Sequence, residues 1–249
     1  MRLYRADLHV HTVLSPCAEL DMGAPDIVSR CRRERIDIVA VTDHNAAKNC
    51  KAVMESSKSS GVEVICGLEV QSSEDIHVIC LFPDCDAAAA FENWVWSLLP
   101  PVKNRPESFG YQLVIDKDNN IIEEVPVLLI QGIDATADET IVQAHKNGGV
   151  AFLAHIDRPV YSYVAVLGLI PGNLRVDAVE LSGQLTKEEA LLWREKAAGR
   201  NVIRASDAHR LDDIDRGKTT CFLLERPCFE EIAMALRKEA GRRVLWPWE

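Results

Sequence analysis

Short β-type apolar runs alternate with helical patterns along the chain. Runs at 3–11, 36–41, 62–66, 76–82, 150–154, 176–181, 202–205 and 219–224 predict strands. Helical patterns are read at 25–35, 46–60, 86–99, 138–147, 187–198 and 228–239. Their ends carry physical markers. Ala24-Pro25 sits near the start of the first helix, and Pro100-Pro101 ends the third. Gly61, Gly148-Gly149 and Gly199 close three others. Strands alternating with helices predict a mainly parallel sheet. Residues 103–133 break the pattern. There Lys117-Asp118-Asn119-Asn120 reads as a turn between two strand-like pieces, which predicts a hairpin insertion. No repeat, low-complexity tract or linker divides the sequence, so residues 1–249 read as one domain with an insertion at about 103–133.

Charge and cysteine usage narrow the classes. The 28 Lys+Arg and 38 Asp+Glu give a formal net charge of −10. That balance argues against an extended nucleic-acid footprint, which needs a basic face. It leaves room for a phosphate held locally, because a bound metal ion can override the net sign. No apolar run reaches the ~18 residues of a membrane span. The first ten residues carry charges and lack the apolar stretch of a secretory signal, so a cytoplasmic location is expected. Eight cysteines without a Cys-x-x-Cys suit reduced thiols that pack as small buried hydrophobes.

The candidate chemistry lies with the histidines. Six of the seven stand in or just after strand-like runs, and five have an aspartate within two residues. The pieces are Asp7-Leu8-His9-Val10-His11, Asp43-His44, Glu69, Asp75-Ile76-His77, His155-Ile156-Asp157 and Asp207-Ala208-His209. Residues two apart in a strand share a face, so His9 and His11 project together, roughly 7 Å apart at Cα. In a parallel barrel, strand C-terminal ends gather on one side. Imidazoles and carboxylates together suit Zn, Mn or Fe. Six histidines with Glu69 and Asp207 exceed the needs of one ion and imply two or three, with a bridging carboxylate. Such closely spaced ions serve phosphate-ester hydrolysis. His145 lies mid-helix without an acidic neighbour and reads as a hydrogen-bonded structural residue.

This set resembles the PHP (polymerase and histidinol phosphatase) family. The pieces that carry it are Asp-Leu-His-Val-His-Thr at 7–12, Val-Thr-Asp-His-Asn at 41–45 and Gly-Leu-Glu-Val at 67–70. Ile-His-Val at 76–78, Ala-His-Ile-Asp-Arg-Pro at 154–159 and Ser-Asp-Ala-His at 206–209 follow in family order. The resemblance implies a distorted (β/α)7 barrel with up to three divalent metals that hydrolyses phosphate esters. It implies one metal on His9, His11, Glu69 and Asp207, and a second that shares Glu69 and adds His77 and His155. A third would take His44, His209 and one further ligand. Glu69, Asp207 and His209 would be the catalytic groups. Asp7 and Asp43 would fix imidazole tautomers from outside. The sequence departs from the family at position 16, where Pro replaces an expected ligand. Glu19, ahead of Asp21 and Cys17, is the expected substitute.

The expected activity is metal-dependent attack of an activated water on a small phosphomonoester or short nucleotide. Arg158 and Arg210 follow strand ends, and Arg suits bidentate phosphate contact. Amidohydrolase-type C–N hydrolysis is the second reading, though no strand-end Lys stands ready to bridge metals. A non-catalytic metal-binding module is the third. Gly217-Lys218-Thr219 matches only the end of a phosphate-binding loop and lacks the earlier glycine. The pairs Trp94/Trp96 and Trp246/Trp248 read as packing residues.

Overall fold

The computed structural model describes residues 1–248. Strand β1 (Arg2–Val10) is followed by α1 (Ala24–Glu34), β2 (Ile38–Val41), α2 (Cys50–Ser57), β3 (Glu63–Gln71) and β4 (His77–Phe82). Next come α3 (Cys85–Leu98), α4 (Pro106–Phe109), β5 (Leu113–Ile115) and β6 (Ile121–Glu124). Helix α5 (Ala137–Lys146), β7 (Val150–Leu153), α6 (Tyr163–Leu167), β8 (Ala178–Ser182), α7 (Lys187–Lys196) and β9 (Asn201–Ala205) follow. Strand β10 (Thr220–Leu224), α8 (Phe229–Leu236) and β11 (Arg243–Val244) end the chain. Helices α5 and α7 each start with a Thr–Glu capping box, Thr136/Glu139 and Thr186/Glu189. Helix α2 is shorter than its sequence pattern. Asn49, just before it, is committed to tertiary bonds: it donates to Thr12 Oγ1 and Leu113 O and accepts from Ile115 N.

Nine strands form one sheet in the order β11-β10-β1-β2-β3-β4-β7-β8-β9. Its two sides meet beyond β9, where His11 N donates to Ala208 O at 3.0 Å and Ala208 N to His9 O at 3.4 Å. The result is a nearly closed barrel of seven strands, with β10 and β11 added outside the seam. This is the distorted (β/α)7 architecture expected from the resemblance. The sheet is less parallel than the alternation predicted. Strand β4 runs antiparallel to both β3 and β7, and β10 antiparallel to β1. The reversal corrects one premise, that every histidine cluster follows a strand C-terminal end. His77 opens β4 rather than closing it. It reaches the same end because residues 72–76 turn tightly and pair it with Gln71.

The strands carry apolar side chains on both faces, as a sheet buried on two sides must. Ala6, Leu8, Ile38, Ala40, Ile65, Ile79, Phe152 and Ile203 fill the barrel, and α8 closes its floor with Phe229 and Ile232. Val39, Val41, Cys66, Leu68 and Val78 face outward against α1, α2, α3 and α5. Strand β1 departs from simple alternation. Ala6 and Leu8 pack inside, yet Val10 packs outside. The register against β2 shifts between Asp7 and Val10, and this irregularity turns His9 and His11 into the barrel mouth. The stretch 103–133 does contain a hairpin, β5 with β6. Its base packs on Leu14 and Ala46 through Val114, Val125 and Leu129. Asn45 Nδ2 donates to Leu129 O and Gln131 O at 2.7 and 2.8 Å, so this segment braces the turn that carries His44. Among the described residues no helix is long and apolar enough to cross a membrane.

Gly67 tests how tightly β3 is seated. A Cβ there would lie 2.7 Å from Cys80 O and 2.6 Å from Leu81 Cδ2, inside the barrel wall. Gly67→Ala is expected to lower stability by about 1–3 kcal/mol in urea unfolding. Gly172→Ala, where nothing lies within 4 Å, should stay within about 0.5 kcal/mol of the wild type. Equal effects would contradict this packing.

Candidate metal centre

Each functional side chain leaves a strand end or the turn beyond it. Glu69, on β3, is the hub. Its Oε1 lies 2.8 Å from His77 Nδ1, 3.3 Å from His155 Nε2 and 3.4 Å from His9 Nε2. Its Oε2 lies 3.1 Å from His44 Nδ1 and 3.3 Å from His11 Nε2. Asp207 Oδ1 lies 3.1 Å from both His9 Nε2 and His11 Nε2. Two donors sharing one ion at about 2.1 Å in tetrahedral geometry stand ~3.4 Å apart, so these spacings suit coordination. Three groups have donor atoms within 4.8 Å of one another: His9/His11/Glu69/Asp207, His44/Glu69/His77 and His11/His44/His209. His44, rather than His155, completes the group around Glu69 and His77, and His11 joins His44 and His209.

The hydrogen-bonding state of the rings also fits cation ligation. His44 Nδ1, His77 Nδ1 and His155 Nδ1 are buried without a hydrogen-bond partner. The first two lie within 3.1 Å of Glu69 but are not aligned to donate to it. Unpaired buried polar atoms are costly, and a metal ion is one way to satisfy them.

A surrounding shell orients the rings. Glu180, fully buried on β8, takes His9 Nδ1 at 3.0 Å and the backbone N–H of His155 at 3.2 Å. With Nδ1 donating, Nε2 of His9 is left to face the centre. Glu180 was not singled out in the sequence, and it holds the place expected of Asp7. Asp7 instead accepts from Ser206 N at 3.0 Å. Burial, against the Ser206 hydrogen bonds, pushes the Asp7 carboxyl up to about 6. Asp43 acts through an intermediary. Ser15 Oγ donates to Asp43 at 2.7 Å and accepts from His11 Nδ1 at 2.9 Å and from His44 N at 3.1 Å.

Local backbone geometry marks the same place. His155 (φ 27°), Asp207 (φ 50°) and Asn45 (φ 50°) lie in the left-handed region. Each costs on the order of 1–3 kcal/mol, and such strain gathers at functional sites. Electrostatics reinforce the picture. Burial would raise Glu69, yet His77, His9 and His44 hold it well below the usual carboxylate range. Asp207 is held low against burial by His9 and His11. Burial would depress His9, but Asp207, Glu180 and Glu69 keep it well above the usual imidazole value. Burial and the positive neighbour His11 push His209 down to about 4. His44 is likewise depressed, first by burial.

The expected outlying residues divide. Arg158 joins the centre, with Nη1 2.7 Å from Asp207 Oδ2 and 40% of its side chain exposed at the opening. Arg210 does not. Its Nε binds Glu19 Oε1 at 3.0 Å, and both side chains are more than half exposed. Glu19 is thus turned outward by that pair and does not reach the His44/His209 group. Cys17 and Asp21 are also exposed. His145 binds Asp177 at 2.7 Å on the flank of the fold.

Glu180→Gln should weaken zinc affinity about 10–100-fold, the range for loss of an outer partner of a ligating histidine. His145→Ala should leave it unchanged. Competition with a chromogenic chelator measures both, and an unchanged Glu180→Gln affinity would remove Glu180 from this role.

The sequence signature of the PHP domain matches residues 7–156. An uncharacterised protein of Methanocaldococcus jannaschii is 34% identical over 86 residues, covering 31% of this chain and 50% of the relative. Endonuclease Q of Pyrococcus furiosus, a lesion-specific endonuclease, superposes with TM-score 0.68 at 17% identity, over 98% of this chain and 58% of that one. A complex of endonuclease Q with a 27-mer duplex, carrying an abasic lesion at the active site, gives 0.67 at 18% identity with the same coverage. An amidohydrolase from Chromobacterium violaceum gives 0.59 at 18% identity, over 97% and 98% of the two chains. At these identities the likeness is one of fold. The chain spans about half the curated relative and 58% of the endonuclease Q chains. The duplex complex corrects one expectation, that the acidic balance argues against an extended nucleic-acid footprint. Net charge sums over the whole surface, whereas affinity depends on the charge where the phosphates lie. The ordered motifs and the barrel that gathers them agree with the signature: this chain belongs to the PHP domain family.

Proposed function

We propose that this protein is a phosphoesterase that cleaves phosphate esters in nucleotides or nucleic acid, with two or three divalent ions at the barrel mouth. The observation that carries this reading is the bifurcated setting of Glu69. One carboxylate oxygen faces His77, His155 and His9, and the other faces His44 and His11. Glu69 thereby enters two donor groups, one with His9, His11 and Asp207 and one with His44 and His77, as a bridging ligand must. His9, His11, Glu69 and Asp207 would hold one ion, and Glu69 and His77, with His44 and His155 at hand, the second. His44 and His209 with His11 would hold the third. The mixed imidazole–carboxylate set suits Zn, Mn or Fe. Ions bound there supply Lewis-acid stabilisation of phosphoryl charge and lower the pKa of water.

The chain's own residues supply the rest. Arg158 presents a guanidinium beside Asp207 at the opening, where it orients a phosphate oxygen. Glu180 and the Asp43–Ser15 relay fix the ring tautomers, so the ligand nitrogens are aimed before substrate arrives. His209 lies on the solvent side of the centre, and its Nδ1 donates to Asp207 O at 2.9 Å, which leaves Nε2 to face the third group. The duplex held by endonuclease Q supports a nucleic-acid-type substrate. The amidohydrolase likeness keeps C–N hydrolysis as the competing chemistry, but no lysine stands in the strand-end motifs that carry the candidate ligands.

Phosphate-ester hydrolysis of bis-p-nitrophenyl phosphate should disappear on chelation and return with Zn, Mn or Fe. Glu69→Gln should lower kcat by more than about 100-fold, beyond the range of outer-shell losses, while His145→Ala changes it little. Equal effects, or activity indifferent to chelator, would overturn the reading. Arg158→Ala should raise KM with the metal content unchanged. Unaltered kinetics would take Arg158 out of phosphate binding.

A further inference from the structure

Between β7 and β8 the chain crosses the barrel mouth, and its first turn is pinned at three points. Asp157 accepts from Ser182 N at 2.8 Å. Ser162 Oγ donates to Arg158 O at 2.6 Å and caps α6 through Ala165 N. Tyr161 O accepts from His77 N at 3.0 Å. Held this way, Tyr161 adopts φ 55°, a conformation unfavourable for a bulky aromatic residue. The cost is met by rigid anchoring on both sides. Its consequence is a fixed side-chain position. The phenol ring lies parallel to the His77 imidazole, with centroids 4.8 Å apart and planes 17° apart. One ring face is therefore occupied by a residue of the centre.

Tyr161 nevertheless remains 45% exposed, and Val160 beside it 57%. A tyrosine recruited for packing alone would be buried, as Tyr163 is two residues later at 3%. Three residues before Tyr161, on the same turn, Arg158 reaches Asp207. The turn thus sets a guanidinium and an open aromatic face beside one centre. A phosphate near Arg158 would bring an attached planar group within reach of Tyr161. The geometry points to Tyr161 as the stacking platform for the substrate's nucleobase, selecting base-bearing phosphodiesters over baseless ones. This inference rests on the phosphoesterase reading and narrows its substrate class.

Two fluorescent phosphorothioate oligomers of equal length provide the test, one of thymidine nucleotides and one abasic. Anisotropy with the zinc-loaded protein should show the base-bearing oligomer binding about ten-fold more tightly, the scale of one base–aromatic stack. Tyr161→Ala should collapse that ratio to about one, and Tyr161→Phe and Tyr161→Trp should keep it. A ratio unchanged in Tyr161→Ala would overturn the proposal, as would a wild-type ratio near one. So would an equal loss for both oligomers with a fall in zinc content, which would make Tyr161 only a support for His77. Metal-dependent hydrolysis of an ordinary thymidine phosphodiester oligomer reports the phosphoesterase reading separately. Its presence with a ratio near one would sink the stacking proposal alone, and its absence would sink the reading beneath it.

Discussion

The buried carboxylate of Glu69 is the constraint on which the rest of the site depends. It is 1% exposed and has five histidines within 3.4 Å of its two oxygens. A buried charge without compensation is expensive. Here compensation comes from rings that reach it from β1, β2, β4 and β7, so the barrel has to roll nearly shut to supply them. The backbone bridges between His9, His11 and Ala208 at the seam do both jobs. They join the sheet's two sides, and they bring Asp207 over the same rings. Closure of the fold and assembly of the site rest on the same contacts.

Much of this was legible locally. His9-Val10-His11, Asp43-His44 and Ser206-Asp207-Ala208-His209 pair ligand types with strand ends, and the ordered pieces point to the PHP barrel. What stayed hidden depends on long-range geometry. Glu180 sits inside the apolar run Ala178–Ser182, where a single Glu has no local signature. Its role appears only when β8 is placed opposite His9. The irregularity in β1 is similar. Strict alternation puts Ala6, Leu8 and Val10 on one face, but the register shift divides them. The reversed β4 cannot be read from the 76–82 run either, since direction leaves no mark on an apolar pattern. Glu19 looked suitable by spacing, yet pairing with Arg210 turns it outward.

The acidic balance of the chain is instructive in the same way. A net charge of −10 describes the whole molecule, while binding is decided at the opening. There Arg158 stands among Asp207, Glu180 and Glu69, which together outweigh its burial and hold it charged. Divalent ions in the three donor groups would reverse the local sign. An acidic protein with such a centre can therefore draw a polyanion to one place on its surface, and the turn that carries Arg158 and Tyr161 borders that place.

The most direct test of the account is an anomalous-difference map from crystals grown with zinc or manganese. At least two peaks are expected, each within about 2.5 Å of a Glu69 oxygen, one near His9 and Asp207 and the other near His77. A single ion that leaves Glu69 uncoordinated, or no ion among these histidines, would contradict it.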